Sequence, residues 1–291
     1  MAKKIEVRYP TSFPGVQRAW WYLREGFERI GCKVIDDAQL LEEGHWSPPR
    51  SLPMAVHIAV LKVNGKRVWY DCSDFTPCHP ELGEPYFAKN VLLEDSPPVI
   101  PLGQYLGSEP QLFFKNLPRL RELTQHKTID VLAVFSNIDE GKRGSGLRRK
   151  VVERLQGRPN VVAGLWQWNH NRPTVPPELQ ADTVPLLAHW ERIAQSKVVI
   201  CLPGVGGEST RLRTETLAIG SCVLTVNSKQ AWPVPPLGWL YDSPGNPIED
   251  VIDRAIAYPD DREMVAQQGR YCFDDYLTPE AMARRVVREV T

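Results

Sequence analysis

The spacing of apolar and polar positions changes repeatedly along the chain, and the changes mark out its elements. Ile5–Arg8 reads as a short strand, followed by the loop Pro10-Thr-Ser-Phe-Pro-Gly15. Trp20, Leu23, Phe27 and Ile30 then recur at helical spacing. This predicts a helix over about 16–30, stopped by Gly31 before a strand at Lys33–Ile35. A strand, a loop, a helix and a second strand in this order open a parallel sheet. Further on, Ala55–Val63 and Lys66–Tyr70 flank Asn64-Gly65, a strong hairpin-turn signal. Residues 71–112 are rich in Pro and Gly without a clear period, and a helix is expected near 111–125.

From residue 129 the alternation is regular. Strands at 129–135, 161–165, 198–202, 222–226 and 239–241 are interleaved with helices at about 147–156, 184–196 and 209–219. Helices near 247–257, 260–273 and 279–290 close the chain. Strands and helices alternating at this spacing mean a doubly wound parallel sheet. The sharpest break in the pattern falls around 124–128. The expected fold is α/β with two Rossmann-like domains, 1–125 and 126–291.

Composition narrows the class. The chain has 291 residues, 42% hydrophobic and 24% charged, the usual mix for globular domains. Lys+Arg and Asp+Glu both count 35, and zero net charge argues against a basic DNA-coating protein or an acidic tail protein. No apolar run approaches the roughly 18 residues of a membrane span. The opening Met1-Ala-Lys-Lys-Ile-Glu-Val-Arg8 lacks a signal-peptide core. The six cysteines (32, 72, 78, 201, 222 and 272) form no Cys-x-x-Cys pair and sit mostly in apolar stretches, as reduced core cysteines do. A cytoplasmic location is therefore expected. The 26 prolines imply rigid loops, and nine tryptophans exceed what a core of this size requires.

The sharpest chemical signal lies in Ser196–Leu224. A buried strand ends at Pro203-Gly-Val-Gly-Gly207, and a helix begins at Ser209 or Thr210, both good N-caps. Gly204, Gly206 and Gly207 allow the backbone close to a ligand, and the N–H groups at a helix start favour a phosphate. Arg211 falls in the first turn, where a cation is unfavourable unless an anion is bound. Glu215 is one turn further along the same face, where a carboxylate can accept two hydrogen bonds from a sugar diol. The plain alternative is an Arg211–Glu215 pair on a solvated helix. A dinucleotide fingerprint fits poorly: Gly204-x-Gly206-x-x-Ser209 lacks the third glycine, and Thr225-Val-Asn227 offers no acid for a ribose.

Read in order, Ser196-Lys197, Pro203-Gly204, Ser209-Thr-Arg211, Glu215-Thr-Leu-Ala-Ile-Gly220 and Val223-Leu224 resemble the nucleotide-sugar-binding domain of GT-B glycosyltransferases. The flavour is closest to the exostosin-like and group 1 transferases. The tail Ala266-Gln-Gln-Gly-Arg-Tyr271 and Tyr276-Leu-Thr-Pro-Glu-Ala281 is similar to the closing helices of that fold. The resemblance covers about 128–291 well and 1–127 in outline. It implies two domains facing a cleft, with the donor on 126–291 and the acceptor on 1–125. It also implies Arg211 and either Lys142 or Arg143 on the diphosphate of a donor, expected to be a UDP-sugar, and Glu215 on its ribose. Lys142 and Arg143 fit a solvated basic loop equally well, and Arg148 and Arg149 read as helix surface. No cofactor beyond the nucleotide-sugar is expected.

Other candidates come from the residues alone. Asp71 and Asp74 run off a strand into a loop, where a carboxylate can take the proton of an acceptor hydroxyl or simply cap the turn. Thr11, Ser12 and Gly15 can contact either substrate. Trp166 or Trp168 can stack on a base or sugar. There is no Asp-x-Asp, no His-x-x-x-His and no paired-cysteine spacing, so no metal site is expected. The leading reading is a metal-independent glycosyltransferase whose acceptor is open. Glycan, small molecule and hydroxylated base in DNA are all compatible, with net charge arguing weakly against nucleic acid. Two rivals remain: an oxidoreductase holding NAD at the Gly204 loop, and a non-catalytic nucleotide- or glycan-binding protein.

Overall fold

In a computed structural model, the described residues are 4–46, 57–73, 83–89, 91–92, 99–103, 105–106, 109–137, 146–167, 174–202, 211–225, 230–231, 241–242 and 247–291. The chain divides into two compact units. One comprises Met1–Pro110, Lys229–Pro235 and Phe273–Thr291, and the other Gln111–Ser228 and Pro236–Cys272. Among the described residues, no helix is long and apolar enough to cross a membrane.

The first unit opens with β1 (Glu6–Tyr9), α1 (Gln17–Arg29) and β2 (Lys33–Asp36), with β1 and β2 parallel. Gly31, at φ +82°, ends α1 in a Schellman motif: its N–H bonds to the Glu28 carbonyl and that of Cys32 to the Phe27 carbonyl. A short α2 (Gln39–Glu43) and β3 (His45–Trp46) lead to the hairpin of β4 (His57–Val63) and β5 (Lys66–Asp71). Asn64 and Gly65 both take positive φ, as a type I′ turn needs. The short strands β6 (Tyr86–Ala88), β7 (Val91–Leu92) and β8 (Val99–Pro101) follow. The sheet runs β2-β1-β4-β5-β6-β8, with β3 on β4. It is mixed, because β4 runs antiparallel to both β1 and β5.

The second unit begins with α3 (Pro110–Leu123), whose Phe113 packs edge-on against buried Trp190 at 5.0 Å. There follow β9 (Ile129–Ser136), α4 (Leu147–Leu155), β10 (Val161–Trp166), α5 (Leu186–Ala194), β11 (Ser196–Ile200), α6 (Arg211–Ile219) and β12 (Cys222–Thr225). After β13 (Gln230–Ala231), which pairs with β7, come β14 (Tyr241–Asp242), α7 (Ile248–Ala257) and α8 (Pro259–Cys272). The five-stranded sheet β10-β9-β11-β12-β14 is entirely parallel, as the strand–helix alternation requires. Val131, Ala133, Phe135, Val198, Ile200 and Leu224 point to one face, against α4 and α7. α5 and α6 pack on the other face, where Cys201 meets Thr216.

The sequence places the break at 125/126 and leaves the whole remainder with the second domain. By packing, the break falls at Pro110/Gln111, and residues 273–291 belong with the first unit. A π-helical turn (Phe273–Leu277) leads into α9 (Pro279–Val290), capped by the Thr278 hydroxyl, which accepts from the Ala281 N–H. α9 packs on α1 so closely that a Cβ at Gly26 would stand 2.0 Å from the Pro279 carbonyl oxygen. The Tyr22 hydroxyl donates to the Leu277 carbonyl, and Arg29 pairs with Glu280 at 3.0 Å. Helical spacing shows that α9 has a buried face but not which partner buries it.

Candidate functional site at the carboxyl edge of the parallel sheet

In the second unit, β9 is the first strand, with β10 on one side and β11 on the other. The chain therefore reverses its winding between β9 and β11. The loops leaving their ends run to helices on opposite faces, α4 and α6. In open α/β sheets, a crevice for ligands forms outside the carboxyl ends at such a reversal. Lys142 and Arg143 belong to the loop after β9, and Gly204, Gly206, Gly207, Ser209 and Thr210 to the loop after β11. These residues, with Trp168, lie outside the described ones. The strand ends and the helices that receive the loops are described.

α6 is buried from Arg213 to Ile219, and Arg211 at its start is exposed. Glu215 is 6% exposed, so it is not one half of a solvated surface pair. Arg213, 1% exposed, donates from Nη2 to the Thr225 hydroxyl at 2.9 Å, and that hydroxyl donates to the Cys201 carbonyl at 2.9 Å. Arg213 thus ties α6 to the ends of β11 and β12. Burial pushes the Cys201 thiol up to about 12, the nearby Arg213 charge opposing and that of Glu215 adding to the rise. Buried charges of both signs therefore gather at the end of β11.

Arg148 corrects the sequence reading. It is 5% exposed, not helix surface, and its Nη1 donates to the Ser136 carbonyl at 3.1 Å and hydroxyl at 2.9 Å. A side chain in the first turn of a helix leans toward the N-terminus, which here is the end of β9. Arg149, one residue on, pairs with Glu153 on the solvated face as expected. Arg148 carried the same signal that singled out Arg211, a cation in the first helical turn. Arg213 carried no such mark.

Asp71 ends β5 in the first unit, 3% exposed. Its Oδ1 accepts the Ser73 N–H at 2.8 Å and its Oδ2 the Tyr86 hydroxyl at 2.9 Å. Burial pushes its carboxyl above the ordinary range, while bonds from Ser73 and Tyr86 and the charge of Lys89 pull it back. The Ser73 hydroxyl in turn accepts the His57 N–H at 2.9 Å. The Ser73 contact is an Asx turn, the capping geometry weighed for this residue. Gly15, at φ +77°, leaves room for the His57 ring, since a Cβ there would stand 2.7 Å from Cε1. Asp74 lies outside the described residues.

No family model matches the chain. Nor does any curated protein. Among solved structures it is similar to a glycosyltransferase from Rickettsia africae ESF-5, at 11% identity and a TM-score of 0.40. The match covers 70% of this chain and 62% of that one, so the chain spans less than two thirds of its length. A likeness at that TM-score carries no argument about activity.

Proposed function

We propose that the chain is a glycosyltransferase of the GT-B type, moving a sugar from a nucleoside-diphosphate donor to an acceptor hydroxyl. The observation that carries this reading is the reversal between β9 and β11. By sequence, Lys142 and Arg143 fall in the loop after β9, and Gly204, Gly206 and Gly207 in the loop after β11, ahead of Arg211 and Glu215. In the reading, backbone N–H groups and cations hold the diphosphate as it leaves, and no metal is needed. Glu215 accepts the ribose hydroxyls, with Ser209 and Thr210 as caps of α6. The first unit is the acceptor side, with Asp74 rather than Asp71 as the base, because both oxygens of Asp71 already accept hydrogen bonds. The NAD reading is weaker, since that fingerprint follows the first strand of its sheet and this glycine loop follows the third.

A thermal-shift panel of nucleoside diphosphates, their sugars and NADH tests the reading. Ligand at about 100 times its dissociation constant adds about 2.7 kcal/mol of stability. A UDP or UDP-sugar shift that persists in EDTA is expected. A shift with NADH and none with any nucleoside diphosphate would overturn it.

A further inference from the structure

Trp166, the last residue of β10, is 37% exposed, although its strand neighbour Leu165 is buried. It pairs in register with Ser136, the residue held by Arg148, so it stands at the edge of the same crevice. Leu165 faces the α4 side, and Trp166 therefore faces the α5 and α6 side. His189 of α5 backs the indole, with ring centroids 5.4 Å apart and planes tilted by 57°. The strand end is fixed: the Gln167 side chain accepts the Val175 N–H at 3.0 Å, and the Ala181 N–H bonds to the Leu165 carbonyl at 2.9 Å. A fixed, half-solvated aromatic ring offers a π-face to a second ring at little ordering cost.

The span decides what that second ring belongs to. β10 is separated from β11 by β9 alone, so the indole stands two strand spacings, roughly 10 Å, from the glycine-loop strand. This matches a nucleoside diphosphate lying across the strand ends. A sugar or phosphate alone would not bridge it. We propose that Trp166 is the platform on which the base of a nucleoside diphosphate stacks, its phosphates directed to the first turn of α6. The inference rests on the nucleotide-site reading and adds the residue that engages the base. Stacking is tolerant of base identity, because every base has a π-face. His189 is a positioning residue behind the platform, and burial, then the Arg192 charge, pulls its imidazole down to about 4, leaving it neutral.

Calorimetric titration of UDP, ADP, GDP and inorganic pyrophosphate into wild type, Trp166→Ala and Trp166→Phe tests the platform. Trp166→Ala should bind each wild-type nucleotide ligand about tenfold or more weakly, Trp166→Phe should recover most of that loss, and pyrophosphate should be unchanged. His189→Ala should weaken nucleotides in part, with rescue by His189→Phe. Circular dichroism melts show that each variant is folded at the titration temperature. Wild-type nucleotide affinity in Trp166→Ala, or an equal loss for pyrophosphate, would overturn the platform and leave the site reading standing. If no nucleoside diphosphate binds the wild type, the site reading fails and the platform with it.

Discussion

At the end of β5, Asp71 gives both carboxylate oxygens to its own unit, one to the Ser73 N–H and one to the Tyr86 hydroxyl. Glu215 of α6 is buried almost as deeply, but on a helix that opens with exposed Arg211 and follows a glycine loop. Both carboxylates stand near the carboxyl ends of parallel strands. The first edge is drawn closed by hydrogen bonds that hold strand ends and turns together. The second keeps Arg211 exposed at the start of α6 and Trp166 partly exposed at the end of β10, while Arg213 and Glu215 of α6 are buried. A place at the strand ends is therefore not enough to make a ligand site; what stays exposed around the buried charge decides.

Several variants separate the two edges, beginning with the largest effect. Gly26→Leu forces a side chain against the Pro279 backbone between α1 and α9. It should cost about 3 kcal/mol or more in thermal unfolding while leaving nucleotide affinity below the melt unchanged. Asp71→Ala removes the buried bonds from the Ser73 N–H and the Tyr86 hydroxyl and should cost about 2 kcal/mol of stability with no change in nucleotide binding. Glu215→Gln should behave in the opposite way, weakening UDP by roughly 1–3 kcal/mol in calorimetry. Equal loss of UDP affinity in Asp71→Ala and Glu215→Gln would erase the distinction.

Sequence pattern reached the second unit better than the first. Alternating strands and helices, each several residues long, leave a period that can be read, and α4, α7 and α8 lie within two residues of their expected bounds. β6 and β8 are three residues each, too short for a period to show among the prolines and glycines of 71–112. The return of α9 to α1 is tertiary packing, which no local period encodes. Arg211 stood out because its charge opposes the helix dipole. Arg148 had the same mark but looked like one more charge in a basic run. Arg213 shows only through its bond to Thr225.

Two further comparisons sharpen the picture. Arg148→Ala should cost about 1.5–3 kcal/mol through the lost bonds to Ser136, whereas Arg149→Ala should cost less than about 0.5 kcal/mol in the same urea titration. His189 adds a pH dependence. Its imidazole titrates near 4 when folded and near 6.5 when unfolded, so between those values the unfolded chain binds more protons. Stability should thus rise with pH across about 4 to 6.5, and His189→Phe should flatten that part of the profile. An unchanged slope in the variant would show that His189 does not titrate between those limits.

Hydrogen exchange with and without saturating UDP compares the two edges in one experiment. The account expects slowed exchange at the ends of β9 and β11 and in the first turn of α6, with peptides covering 66–73 unchanged. Slowing at the end of β5, or none at either edge, would contradict the claim that the reversal between β9 and β11 is where the nucleotide binds.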